Sequence, residues 1–446
     1  MSAIVHVVHC IDTEGPLHES LEATFERLRA IFDIDLPPDA ATLRQLQNAE
    51  LDLGGIEAQV ARVIAPDLLD YNHTWDKLDA MLERVMAAKF RTRTKDSFGG
   101  GWVYNWFCVD HVGYATNPRD RDLGQFHIHD HYRAMIAKTG SDQDALHFHF
   151  HPVSFAAAGN HAATRYFNDG GRLYDILARY VIDKQWFPCA YRPGFHSERP
   201  DSHWFLEQHV PFDYANQATV QDLDAQQLDI SGGRFGDWRR APVNWQPYHP
   251  AHDDHQTPGD CRRWIMRCLN VGTRLRLLDQ GDVDQAFQEA SDGKPTVLAF
   301  ANHDYRDIAP DVTRVMDMLH SATERHPGVR FKFSEARAAA REALDLRPDP
   351  AFALDLALTD NRIDITATTP TFGPQPFLAL KTKDGAYHHD NLDMGEPFKR
   401  WSYTLDEQTL PMERIEKIGV AACDGSGAVS VAVFDAASGQ VNAKTF

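Results

Sequence analysis

From residue 1 to about 345 the chain alternates strand-like and helix-like segments, and this alternation constrains the fold more than any other feature. Residues 3–11, AIVHVVHCI, are apolar and β-branched, the character of a buried strand, and DTEG breaks the run. Helical spacing follows over 18–92, in LEATFERLRAIF, ATLRQLQNAE, GGIEAQVARVIA and TWDKLDAMLERVMAAKF. A glycine-rich aromatic segment, DSFGGGWVYNWFCVDHVGY, surrounds a further strand. DHYRAMIAKTG reads as a helix with a glycine stop, and DALHFHFHP as a strand. GGRLYDILARYVIDKQ, DSHWFLEQH, GDVDQAFQEASDG and APDVTRVMDMLHSATERH are helical, interleaved with WFPCAYRPGF, FDYANQ, PTVLAFANHDY and VRFKF. Such a chain is expected to form an α/β domain with a parallel sheet.

The texture changes at LRPDPAF. Beyond it, FALDLALTD, NRIDITATTP, FLALKTKDGAYHHD, KRWSYTLDE, IEKIGVAACDG and AVSVAVFDAASGQ are short alternating runs separated by D-G, S-G and T-D-N turns. That is the pattern of an all-β sandwich of about 100 residues. The expected division is therefore 1–345 and 346–446.

Composition excludes some partners. The net charge is −19, with 45 Lys and Arg against 64 Asp and Glu, which disfavours nucleic acid and anionic membranes. No apolar run reaches the roughly 18–20 residues of a membrane span. The N-terminus has no basic region or cleavage site of a signal peptide. The six cysteines form no CxxC pair, so a reducing, cytoplasmic setting is the expectation.

Four of the strands end in polar clusters: CIDTEG (Asp12, Glu14), HFHFHP (His149, His151), YRPGFHS (Arg192, His196) and FANHDYRD (His303, Asp304, Arg306). In parallel α/β folds the strand C-termini are where catalytic groups gather. Taken singly, each cluster has a plain structural reading. A D-x-E after a strand is commonly a helix N-cap, and alternating histidines fit a solvent-facing strand. Four complementary ends suggest one site.

The run ALHFHFHP sets His147, His149 and His151 on one face of a strand and Phe148 and Phe150 on the other. Same-face neighbours lie about 6.6–7 Å apart, so histidines two apart can share a metal, whereas positions four apart lie about 13 Å from each other. The pair beside Pro152 sits nearer the strand end and is preferred, with His147 in place of His151 left open. Glu14 supplies the carboxylate that completes a set with positions left for water and substrate. Asp12 then stands close enough to take a proton from that water. The phenylalanines are expected to pack into the helix layer. A second histidine group, His127, His129 and His131, precedes a helix and reads as a capping or surface feature. The aromatics of GGGWVYNWF and of FGDWRRAPVNWQPYHPAHDDH read as packing, although such rings can also stack on sugars.

In their order, IDTE, HFHP, YRPGFH and ANH resemble the polysaccharide deacetylase family, the NodB-homology or family 4 carbohydrate esterases, over roughly residues 1–16 and 140–310. The H-x-H-P form and HDYRD resemble a branch associated with surface-polysaccharide gene clusters. The resemblance implies a distorted (β/α) barrel with a helical insertion at about 16–125. It implies Asp12 as base, Glu14, His149 and His151 as ligands of a divalent metal (zinc first), Arg192 as the group holding Asp12, and His303 as general acid. Trp238, in GDW, matches the family's tryptophan motif weakly and joins His196 and Asp304 as expected substrate contacts. The sequence departs from the family in spacing its histidine ligands two apart rather than four, and in carrying Glu14 where aspartate is usual.

The activity implied is metal-dependent hydrolysis of a C–N amide bond, removing an N-acyl group from an amino sugar. The same fold with a small cyclic amide or ureide as substrate, and a non-catalytic carbohydrate-binding protein, are the competing expectations. Asp12 and His303 together favour an enzyme, because a metal-binding relic need not keep a base and an acid. A homodimer is a further expectation.

Overall fold

A computed structural model of the chain describes residues 3–109, 126–152, 170–221 and 236–446. Its first strand, β1 (Ile4–Thr13), is buried along almost its whole length. Alternation turns Val5, Val7, His9 and Ile11 toward surrounding helices, and Val8, Cys10 and Asp12 toward a second core inside the sheet. The sheet continues through β2 (Tyr104–Val109), β3 (Ala145–Phe150), β4 (Ala190–Pro193) and β5 (Phe212–Asn216). A short hairpin, β6 (Pro250–Ala251) and β7 (Asp254–Pro258), stands apart. The sheet resumes with β8 (Trp264–Asn270) and β9 (Thr296–His303).

The parallel order is β1-β2-β3-β4-β5-β8-β9, and β9 pairs back onto β1 over Val5–Asp12, which closes a seven-stranded barrel. A further strand, β10 (Arg330–Phe333), pairs with Ile4–Val7 of β1. Register sets Asp12 opposite His303, His149 opposite Val109, and Arg192 opposite His149.

Helices α1 (Leu21–Phe32), α2 (Ala40–Gln47), α3 (Glu57–Val63), α4 (Pro66–Leu69), α5 (Trp75–Met86) and α6 (Ala88–Arg91) lie between β1 and β2. The stretch 16–125 read as an insertion therefore contains a barrel strand, β2, and its residues 110–125 lie outside the described residues. Then come α7 (His127–Thr139), α8 (Gly170–Arg179), α9 (Pro200–His209), α10 (Gln280–Ser291), α11 (Ala309–Arg325) and α12 (Ala336–Leu344). The alanine face of α12 (Ala336, Ala339, Ala340) packs among Val8, Ala190 and Phe212 of the barrel interior. Small side chains let this helix approach closely, and the Tyr214 hydroxyl donates to the Ala336 carbonyl at 2.5 Å.

The remaining nine strands are β11 (Leu354–Thr359), β12 (Arg362–Ala367), β13 (Phe377–Thr382), β14 (Tyr387–Asp390), β15 (Asp393–Glu396), β16 (Arg400–Thr404), β17 (Ile415–Cys423), β18 (Val429–Asp435) and β19 (Gln440–Thr445). They form antiparallel sheets ordered β11-β12-β16-β15 and β14-β13-β17-β18-β19. The period-two pattern has a physical reason on both faces. Leu378, Leu380, Ile418 and Val420 meet Ile363, Ile365 and Trp401 between the sheets. Phe377, Ala379, Ala421 and Val431 meet Leu173, Ile176 and Leu177 of α8. Phe148 and Phe150 join this second cluster, so the outward face of β3 packs on the helix layer. Among the described residues no helix is long and apolar enough to cross a membrane.

Candidate metal centre at the strand ends

All barrel strands run in one direction, so the ends of β1, β3, β4 and β9 share one rim. Asp12 projects inward near the end of β1, and Glu14 follows just beyond it. The loop amides are fixed from a distant segment: Glu14 N–H donates to Asp304 Oδ1 at 2.8 Å and Gly15 N–H to Oδ2 at 2.9 Å. Gly15 is needed here, because its φ is +76° and a Cβ would lie 2.6 Å from Ile128 Cδ1.

His149 Nδ1 lies 2.9 Å from the Arg192 carbonyl. A carbonyl only accepts, so the proton is on Nδ1 and the lone pair is left at Nε2. That Nε2 is buried without a hydrogen-bond partner, 3.6 Å from Glu14 Oε1. His151, just past the strand, brings its Nε2 to 3.1 Å from the same oxygen. The two imidazoles stand edge to face with centroids 4.7 Å apart. Glu14, His149 and His151 are all buried and each offers one ligand atom, all within 4.8 Å of one another; among the described residues they are the set that can hold a metal. An orphaned, correctly protonated Nε2 beside a second imidazole and a carboxylate fits a divalent ion such as zinc.

His147 lies outside this cluster. Two residues earlier on the same face, its Nε2 sits 3.2 Å from Asn105 Oδ1 and 3.2 Å from Glu335 Oε1. Burial alone would raise the Glu335 carboxyl, but His147, Arg337 and the Arg337 amide hold it down at about 2.

Arg192 grips Asp12 with two parallel bonds, Nε to Oδ1 at 2.6 Å and Nη2 to Oδ2 at 3.1 Å. Both residues are buried. The guanidinium also donates to the Tyr214 carbonyl at 2.6 Å and to Cys268 Sγ at 3.0 Å. Burial pushes the Asp12 carboxyl up, yet Arg192, with His149 and His303, outweighs this and holds it well below the usual carboxylate range.

His303 places Nε2 3.8 Å from Asp12 Oδ2 and 4.0 Å from Glu14 Oε1. Its Nδ1 is buried with no hydrogen-bond partner, and its ring stacks on Tyr305 at 4.7 Å. Burial lowers its pKa to about 4, against the opposing pull of Asp12 and Glu14. The ring is therefore neutral near pH 7.

The structure thus brings Asp12, Glu14, His149, His151, Arg192 and His303 together. It gives the three expected substrate contacts a different placement. Asp304 is fully buried, its oxygens taken by the two loop amides and by the Tyr132 hydroxyl at 2.7 Å. Burial pushes its carboxyl up to about 7 against those bonds. Trp238 is buried, and its indole N–H donates to the His196 carbonyl at 2.9 Å. His196 is buried behind Arg192, its Nδ1 3.5 Å from Nη2. All three are buried among these partners. The G-D-W stretch has a backbone reason as well. Phe195 and His196 adopt φ of +54° and +51°, and Gly236 lies so close to the His196 carbonyl that a Cβ there would overlap it.

His127 and His131 lie inside α7; His127 stacks on Trp75 at 5.0 Å and His131 meets the same ring tilted at 4.3 Å, while His129 is buried against Tyr180 and Trp186. Trp102, Tyr104 and Trp106 belong to the core under the helices. Sequence reasoning did not find Tyr132 or Gly194. A Cβ on Gly194 would overlap the His151 ring, and the glycine in YRPGFH was the available signal.

No known protein family matches this chain in comparison, and neither does any curated protein.

Proposed function

We propose that the chain is a metal-dependent hydrolase of the polysaccharide deacetylase type, which removes an N-acyl group, N-acetyl first, from an amino sugar or saccharide precursor. The observation that carries the reading is the Asp12–Arg192 ion pair beside Glu14, His149 and His151, with His303 facing both carboxylates. A base, a metal-binding set and a proton carrier stand on three strand ends.

A divalent metal on Glu14, His149 and His151, with zinc suited to this donor set, supplies Lewis acidity toward the acyl oxygen and acidifies water. Arg192 keeps Asp12 ionised and aimed, so its carboxylate accepts the proton that the attacking water gives up. His303 is neutral and 3.8 Å away, so it can receive that proton from Asp12 and hand it to the nitrogen as the C–N bond breaks. Water's oxygen ends in the released carboxylic acid and both its protons are accounted for in acid and amine. On this reading 1–345 is the catalytic unit and 346–446 a cover, in line with the sheet packed on α8.

The test pairs elemental analysis with acetate release from N-acetylglucosamine oligomers. Asp12→Asn and His303→Ala are expected to retain about one metal per chain and to lose turnover. Full turnover in both would remove the proposed roles. Metal absent after reloading would remove the mechanism.

A further inference from the structure

Outside the barrel, α9 and the turn between β6 and β7 border an open depression of about 460 Å³. It is built rather than incidental. His203, buried on α9, uses both ring nitrogens: Nε2 donates to the His252 carbonyl at 2.9 Å, and Nδ1 accepts from Arg263 Nη2 at 2.9 Å. Arg263 is itself fully buried and paired with Glu198. This chain of buried contacts ties the turn to the helix. It sets the ring of His252 beside that of Trp204, with centroids 6.5 Å apart and planes 28° apart. Asp253 Oδ1 lies 2.6 Å from His252 Nδ1, both side chains being exposed.

Trp204 is 49% exposed, although its helix neighbours His203, Phe205 and Leu206 are buried. The exposed indole offers an apolar face with a polar N–H edge. Around it, polar groups interrupt a lining that is otherwise largely apolar. Gln208 and Asp260 line it, both are exposed, and neither side chain makes a hydrogen bond among the described residues. Arg262 closes one side, donating to the Glu207 carbonyl at 3.2 Å and lying over the rings of Phe372 and Phe398 of the β domain.

One aromatic face amid hydrogen-bonding groups does not suit a lipid or an amphipathic helix, which need a continuous apolar groove. Arg262 is paired with Glu207, and Asp260 is left to disfavour phosphate. A pyranose ring presents one C–H face and an edge of hydroxyls, which is the complement of this surface. We infer that the cleft is a saccharide-binding site distinct from the strand-end centre. Trp204 is the platform for a neutral or amino-bearing sugar ring, His252 the flanking wall, and Gln208 and Asp260 the partners of its hydroxyl or ammonium groups. This inference does not depend on the hydrolase reading.

The test is calorimetric titration of the full chain with trimers of N-acetylglucosamine, of glucosamine, and of glucose. At least one trimer is expected to bind saturably, to bind equally well to His149→Ala, and to bind about tenfold or more weakly to Trp204→Ala. Trp204 is on the surface, so that variant is expected to keep the parent melting temperature and metal content. Asp260→Asn separates the sugars: it weakens the glucosamine trimer most if the carboxylate meets the ammonium. No saturable binding at millimolar sugar overturns the inference. Binding that survives Trp204→Ala in the His149→Ala background, or that is lost in His149→Ala alone, overturns it too, the latter by placing the sugar in the barrel.

Discussion

Asp304 accepts the backbone N–H of Glu14 at 2.8 Å across 290 residues of sequence. With the Gly15 amide and the Tyr132 hydroxyl it forms a clamp that fixes where the Glu14 carboxylate can reach. Asp304→Asn is nearly isosteric but puts an NH₂ group against one of three donors. Groups that orient a metal ligand typically carry about 10- to 100-fold of metal affinity. We expect that loss in a competition assay against a chromophoric chelator, with an unchanged circular dichroism spectrum. Wild-type affinity in the variant would show that the loop holds itself.

Gly194 and His151 make a steric pair. The glycine has ordinary backbone angles but no room for a Cβ, because the His151 ring occupies the space. Gly194→Ala is expected to drive the ring off its position and, like His151→Ala, to lose the metal. Gly171→Ala, on α8, where a Cβ meets nothing within 4 Å, is the control and should bind metal normally. Normal metal content in both would mean that the rim relaxes around the methyl group.

What could be read from the sequence was what depends on period and strand ends. Asp12, Glu14, His149, Arg192 and His303 lie at the ends of parallel strands, so counting along each strand finds the rim. The alternating runs after LRPDPAF likewise announce the β domain. Other features depend on partners far away in sequence. Strand β8 escaped because Arg267 interrupts its apolar run. The guanidinium is buried over the Trp245 ring at 4.4 Å and bonded to Asp282 at 2.9 Å. Asp304 adjoins His303 in sequence, yet alternation turns the two side chains opposite ways, one into the barrel and one beneath the Glu14 loop. His127 and His131, one helical turn apart, serve Trp75 instead of the pocket.

The Asp12–Arg192 pair is buried, so removing one partner strands the other's charge. Such a loss costs about 3–5 kcal/mol, whereas removing both charges costs much less than the sum. Arg192→Ala is expected to destabilise by that amount in urea titration, and Asp12→Asn/Arg192→Ala to recover part of it. A strictly additive cycle would mean that the pair adds no coupling and that Arg192 acts through Tyr214 and Cys268 alone.

His9 predicts how the fold responds to acid. Its Nδ1 accepts the Trp102 indole N–H at 3.0 Å, so the proton sits on Nε2, which donates to Asn302 Oδ1 at 3.0 Å. A second proton on Nδ1 would face an N–H. Burial lowers the pKa of this ring to about 3, with the Asn302 contact opposing only weakly. The unfolded chain takes up this proton below its ordinary value near 6.5, while the folded chain does so only near 3. The unfolded state therefore binds more protons between these limits. The stabilisation is complete above the upper limit and is lost progressively as pH falls to the lower one. His9→Gln removes this titration. Its stability should fall less steeply with acid, by about 1.4 kcal/mol per pH unit between roughly pH 6 and 4. At pH 7 the variant should be less stable, since glutamine is not shaped to span Trp102 and Asn302 together. Parallel slopes for the two proteins in urea titrations across that range would show that His9 is already protonated in the fold, and that the Trp102–His9–Asn302 chain does not set its tautomer.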